Sequence, residues 1–211
     1  MHIHIPDGVL PVWLWVAGFV LTGILLLVIL PYLRKQTEKI PLVGMMTAIA
    51  LLVMSIPLGL PVHINLMVLI GILIGWHWSL VVALVVNFIL ASFGHGGLTI
   101  VGLNTVLLWI QALVGIFLFR LFIKIIKNYF ASASISTFIS LVVSFFLVIG
   151  IVAVSTVEPA EFLHRYEEIG HVEISLLTFI ILSLPVALLG IVVESIITGF
   201  VVRFIKKVKP E

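Results

Sequence analysis

Seven long apolar stretches, near residues 11–33, 41–57, 64–75, 78–93, 101–127, 136–157 and 173–205, constrain this chain more than anything else in it. They run without the alternation of a barrel strand, so each reads as a helix. A helix satisfies its own backbone polar groups, which a bilayer interior demands. Of the 211 residues 63% are hydrophobic and 9% charged, whereas soluble domains carry about 25% charge. The expected fold is therefore an all-α integral membrane protein. It forms a single transmembrane domain over 1–211, with a polar segment 1–10 at its start and no room for a separate soluble domain. The first basic residue is Arg34, so the opening lacks the basic region of a cleavable signal peptide. Met1 precedes a bulky His2, a context in which the initiator residue is expected to stay.

The two shortest stretches, 64–75 and 78–93, can be drawn as one helix or as two. Charge decides. With seven spans and the N-terminus outside, the segments 34–40, 120–128 and 203–211 all face the cytoplasm, as does the C-terminus. Of the 11 basic residues, all but Arg165 then obey the positive-inside rule. Fusing 64–93 into one span breaks that agreement. The same arrangement puts His2, His4, His63, His95, His164 and His171 on the outer side and only His77 inside. Asp7, Glu158, Glu161, Glu167, Glu168 and Glu173 join the outer histidines. This carboxylate-rich face suits the attraction of a cation, although a solvated loop is the simpler reading of the acidic segment 158–173.

The sharpest chemical signal is the opening Met1-His2-Ile3-His4-Ile5-Pro6-Asp7-Gly8. The Met1 amine, the His2 amide nitrogen and the His2 imidazole can close fused five- and six-membered chelate rings around one ion. Planar all-nitrogen sites suit Ni(II) or Cu(II), with Co(II) also accommodated. A fourth donor must come from elsewhere, and His63 is the best candidate. It follows the Pro/Gly-rich loop Ile56-Pro57-Leu58-Gly59-Leu60-Pro61-Val62. The plainer alternatives are a frayed terminus and a hydrogen-bonded interfacial histidine. A second glycine loop, Phe93-Gly94-His95-Gly96-Gly97-Leu98-Thr99, leads to Gly102-Leu103-Asn104. It reads as a tight connection, or as the source of an entry-path or supporting group in His95, with Asn104 orienting a histidine ligand. Glu194 is the one ionisable group deep in an apolar run. Such a group is either functional and turned toward protein or a hydrogen-bonding aid to helix packing. Asn65, Asn87 and Gln111 are further polar residues within spans, and Gly71/Gly75 and Gly44/Ala48 have the spacing of close helix contacts. No P-loop, zinc-protease or serine-hydrolase motif is present. With no cysteine in the chain, thiolate sites and disulfides are excluded.

Several segments, in order along most of the chain, resemble one family. His4-Ile5-Pro6-Asp7-Gly8-Val9-Leu10 looks like the MHIPDGFL opening of the CbiM/NikM proteins. KIPLVGMMTAI…IPLGLPVHINLMVLIG resembles that family's second span and histidine loop, and FGHGGLTIVGLNTV its FGDGGLTxLGxNxxNM segment. LPVALLGIVVESIITGFVVRFI resembles its closing helix, with Glu194 at the matching place. The resemblance implies the substrate-capturing membrane component of a cobalt or nickel transporter of the energy-coupling-factor type. It implies a square-planar site from Met1, His2 and His63, and three kinds of partner: a transmembrane coupling protein, a separate ATPase and a small accessory membrane subunit. Three departures stand out. Two extra residues align His4 with the family histidine, while His2 lies beside the amine. Pro61-Val62 replaces Ser-Gly before the loop histidine, and His95 replaces an aspartate.

The expected function is capture of Ni(II) or Co(II) as transported substrate in a prokaryotic inner membrane. ATP is hydrolysed by a partner, no organic cofactor is bound, and lipid rather than nucleic acid surrounds the chain. A haem-binding electron carrier is the first alternative, but it needs paired histidines at membrane depth. An intramembrane metallohydrolase using His63, His95 and Glu194 is the second, and it lacks a tight ligand motif on any one helix.

Overall fold

The computed structural model describes residues 2–3, 10–56, 62–154 and 176–208. Seven helices account for most of these: α1 Val12–Arg34, α2 Ile40–Met54, α3 Met67–Ile74, α4 Trp76–Ser92, α5 Val101–Ile126, α6 Tyr129–Val154 and α7 Leu176–Val208. Two-residue strands β1 His2–Ile3 and β2 Val62–His63 add one short antiparallel ribbon. Helix α5 packs against α1, α3, α4 and α6, and α7 lies along α6.

The seven described helices fall on the apolar stretches, and the two shortest stretches, which the sequence already puts near the lower limit for crossing, give the two short helices α3 and α4. Among the described residues, five helical segments are long and apolar enough to cross a membrane. Helix α4, with 17 residues, sits at the lower limit for crossing. Helix α3 has eight and rises only ~12 Å, under half of a ~30 Å hydrocarbon core. It is a half-helix that begins inside the bundle, with Asn65 and Met67 fully buried at its start. Between α3 and α4 the chain turns at Gly75, whose φ of 88° favours a residue without Cβ. The expected contact pair Gly71/Gly75 thus splits into two roles. Gly71 meets Ile116 and Ala112 of α5, while Gly75 makes the turn. Gly44 has open space beside it, so no close helix contact uses it among the described residues.

Helix α6 starts at Tyr129, earlier than the apolar run predicts, because Asn128 caps it. The Asn128 Oδ1 accepts from Ala131 N at 3.1 Å, which satisfies one of the open N–H groups of a first turn. Helices α1 and α5 approach to backbone contact at Gly18 and Gly102. A Cβ on Gly18 would lie 2.6 Å from Leu103 N, and one on Gly102 would lie 2.6 Å from Phe19 N. Thr22 Oγ1 donates to the Gly102 carbonyl at 2.8 Å across the same crossing.

Polarity is inverted relative to a water-soluble protein. Leu27, Leu52 and Phe117 point outward with 72%, 71% and 69% of their surface exposed, while Asn65, Gln111 and Glu194 are buried. Soluble proteins do the reverse, so this exterior is built for lipid. The ends of the bundle differ as well. Lys39 donates to the Ile74 carbonyl at 3.4 Å, and Phe130 and Phe200 have ring centroids 4.8 Å apart. The α1–α2 turn, the α3–α4 turn, the α5–α6 turn and the end of α7 therefore share one end. Arg34, Lys35, Lys39, Arg120, Lys124, Lys127, Arg203, Lys206 and Lys207 gather there. Arg165 and Lys209 lie outside the described residues.

Candidate metal site

At the opposite end, β1 pairs with β2 in the register His2↔His63 and Ile3↔Val62. Two histidines 61 positions apart in sequence are thereby directly opposed on neighbouring strands. The ribbon rests on the bundle, β1 against α6 and β2 against α7. Leu10, just before α1, is buried in a cluster with Ile100, Leu107, Leu141, Phe145 and Ile191, which anchors the chain where it enters the first span. Met1 and His4, the other expected donors, lie outside the described residues, as do His164 and His171.

His63 is buried, with 5% of its surface exposed. Its Nδ1 lies 3.3 Å from the Ile56 carbonyl. A carbonyl only accepts, so this contact is a hydrogen bond in the tautomer with the proton on Nδ1 and the ring lone pair on Nε2. A backbone carbonyl on the far nitrogen is a common way to orient a metal-binding imidazole. Asn104, the residue expected to orient a histidine, is buried, and its Oδ1 meets no hydrogen-bond partner among the described residues. The carbonyl of Ile56 carried no sequence signal, because any residue supplies one.

The ring of His95 lies edge-on to that of His63, with centroids 5.4 Å apart and planes at 63°. The end of α4 puts it there. Gly94 has φ 77°, Gly94 N donates to Ala91 O at 3.0 Å and His95 N to Leu90 O at 2.8 Å. This is a Schellman motif, in which a glycine stops the helix and the next residue bonds back to its last turn. The glycine-rich loop is thus a tight connection that also aims a histidine.

Below the histidines, three of the polar residues singled out within the spans form one network. Asn65 and Gln111 pair through both side-chain amides, Asn65 Nδ2 donating to Gln111 Oε1 at 3.2 Å and Gln111 Nε2 to Asn65 Oδ1 at 2.8 Å. Asn65 Oδ1 also accepts from Met67 N at 2.9 Å. Glu194, reaching in from α7, accepts from Leu66 N at 3.0 Å and from Asn65 N at 3.4 Å. These are backbone donors that a half-helix starting in a dry interior leaves open. A carboxylate beside a helix N-terminus also meets the positive end of its dipole. Leu66 itself has φ 57°, a left-handed conformation that costs a branched residue ~1–2 kcal/mol. The network holds that turn three residues after His63. Glu194 thus ties α7 to the start of α3, as the helix-packing reading expects. Asn87 stands apart, its Nδ2 3.5 Å from Thr105 Oγ1.

His77 lies at the basic end, stacked on Trp76 with centroids 3.6 Å apart and on Tyr32 at 4.6 Å. Trp109 Nε1 donates to the Trp76 carbonyl at 2.9 Å. Among the described residues no three His, Asp or Glu side chains converge; His63 and His95 are the two histidine rings that meet.

A family model described as cobalt uptake substrate-specific transmembrane region matches residues 4–211. The chain belongs to the CbiM family. Its match to that family starts at His4, so Met1, His2 and Ile3 precede the shared pattern. A putative metal transport protein of Methanocaldococcus jannaschii is 27% identical over 233 residues, covering 99% of this chain and 94% of that protein. Two crystal structures share the fold of this CbiM-family chain. One, of a transition metal transporter, gives a TM-score of 0.76 at 22% identity, over 99% of this chain and 95% of that one. The other, of a truncated transition metal transporter, gives 0.75 at 21% identity, over 97% and 99%. Membership of the family makes the protein a multi-pass membrane component of metal uptake, and the two structures share its fold.

Proposed function

We propose that this protein captures Ni(II) or Co(II) at the outer face of a prokaryotic cell membrane for an ATP-driven transporter of the energy-coupling-factor type. The observation that carries the proposal is the register His2↔His63 in a chain of a cobalt-uptake family. Directly opposed residues of an antiparallel pair have Cβ atoms ~4.5–5.5 Å apart, within reach of one ion. The Met1 amine, the His2 amide and imidazole, and Nε2 of His63 then supply four nitrogens in a plane. His2 is favoured over His4 because fused chelate rings need adjacency to the amine, and because His2 is the residue set opposite His63. The cluster of basic residues at the far end supports a cytoplasmic C-terminus.

In this reading the ion sheds water as the donors close around it, and the β1–β2 ribbon seals the site. A transmembrane coupling protein, a separate ATPase and a small accessory subunit then drive release to the cytoplasm. The test is calorimetric titration of NiCl2 and CoCl2 into detergent-purified protein with its native amino terminus and a carboxy-terminal tag. Binding should be lost when residues are added before Met1 and when His63 becomes Ala. Undiminished binding by the extended protein would rule out the amino-terminal chelate.

A further inference from the structure

We propose that His95 binds the same divalent ion as His63, as a fifth nitrogen donor outside the plane of the amino-terminal chelate. This rests on the capture reading above and adds a ligand to it. A metal held ~2.0–2.1 Å from a ring nitrogen lies about 3.2 Å from that ring's centroid. Two imidazoles sharing one ion therefore have centroids about 4.5 Å apart at a right angle and about 6.4 Å apart when opposed. The His63 and His95 rings, at 5.4 Å, fall inside that window before any ion arrives.

The position is also built rather than incidental. His63 is fixed through Nδ1 by the Ile56 carbonyl, which directs its lone pair to Nε2. His95 is fixed through its backbone by the helix-ending bonds to Leu90 and Ala91 around Gly94. The buried residues before α3 and the end of α4 thus present imidazoles to each other, and β2, which carries His63, pairs with the strand that carries His2. Four nitrogens in a plane give Ni(II) its square geometry, and a fifth from outside the plane converts it to a five-coordinate ion. Square-planar Ni(II) is diamagnetic, whereas five-coordinate Ni(II) with these donors is paramagnetic. His95 is therefore a specificity-determining ligand that shifts preference toward Co(II), which takes five donors readily.

The experiment compares wild type, His95→Ala, His95→Gln and His63→Ala, each with a native amino terminus and loaded with NiCl2 or CoCl2. Magnetic susceptibility, visible absorption and competitive titration are the readouts. Wild type should hold paramagnetic Ni(II). Both His95 variants should hold diamagnetic Ni(II) and bind Co(II) about 10–100-fold more weakly, and added imidazole should restore the wild-type spectrum of His95→Ala. His63→Ala should lose the ion. If wild-type Ni(II) is already diamagnetic, or the His95 variants keep its spectrum and affinity, His95 is not a ligand while capture by His63 stands. If His63→Ala binds as wild type does, the capture reading itself fails. The Gln variant, which keeps the size and polarity of the side chain, separates lost ligation from a loop that no longer folds.

Discussion

Glu194 shows how one side chain can hold the turn that follows a histidine loop. It is fully buried, and its oxygens receive the N–H groups of Leu66 and Asn65. Replacing it with Ala leaves both donors in a dry interior, and an unsatisfied buried donor costs about 1–3 kcal/mol. Glu194→Ala should therefore lower the thermal unfolding temperature in detergent and weaken metal binding about tenfold or more. Glu194→Gln keeps an acceptor for Leu66 and should lose less of both. An alanine variant as stable as wild type would show that the half-helix holds its start without the carboxylate. Sequence alone marks Glu194, Asn65 and Gln111 as unusual, since polar residues in apolar runs are conspicuous. Their association is not legible there, because Asn65 and Gln111 are 46 positions apart and Glu194 lies 128 positions from Leu66. Leu66 is harder still. Nothing about a leucine announces a left-handed backbone, and the turn exists only because its neighbours are already held.

Among the elements, length and apolarity made the helices legible and left the joints obscure. The long runs give α1, α5 and α7 nearly to their ends, since any helix there buries its own backbone polar groups. The half-helix α3 reads as a short span because hydropathy cannot tell a helix facing lipid from one enclosed by protein. Its buried residues Met67, Val68, Leu69 and Ile70 look the same in sequence either way. The α1–α5 crossing is a sharper case. Gly18 and Thr22 have a spacing too common in apolar helices to single out a crossing, yet a Cβ on Gly18 would strike Leu103 and one on Gly102 would strike Phe19. A larger residue at either position must push the helices apart, and overpacking of this kind costs about 1–3 kcal/mol. Gly102→Val should reduce the yield and thermal stability of folded protein more than Gly23→Val, because a Cβ at Gly23 meets nothing within 4 Å. Equal stability of the two valine variants would mean that α1 is not pressed against α5. Gly102 lies in the first turn of α5, so the crossing is made where that helix leaves the loop that carries His95.

For the whole molecule, the decisive property is the separation of His63 and His95 from the described basic residues along the bundle axis; His77 alone of the described histidines sits at the basic end. His63, His95 and the strand bearing His2 occupy one end, and nine basic side chains occupy the other, with a lipid-facing exterior between them. Charge asymmetry alone supports an orientation with the basic end in the cytoplasm, and metal capture from outside requires that orientation. The chain contains no cysteine, so single substitutions report on sidedness without background. Phe93, 82% exposed beside the histidine loop, and Glu38, exposed in the turn Thr37–Lys39 between α1 and α2, mark the two ends. In intact cells freed of any outer barrier, Phe93→Cys should react with a membrane-impermeant maleimide, and Glu38→Cys should react only after the membrane is permeabilised. The opposite pattern would put the histidines on the cytoplasmic side. Uptake would then have to deliver the ion to the basic end first, where the positive charge repels it, and the capture mechanism would fail on electrostatic grounds.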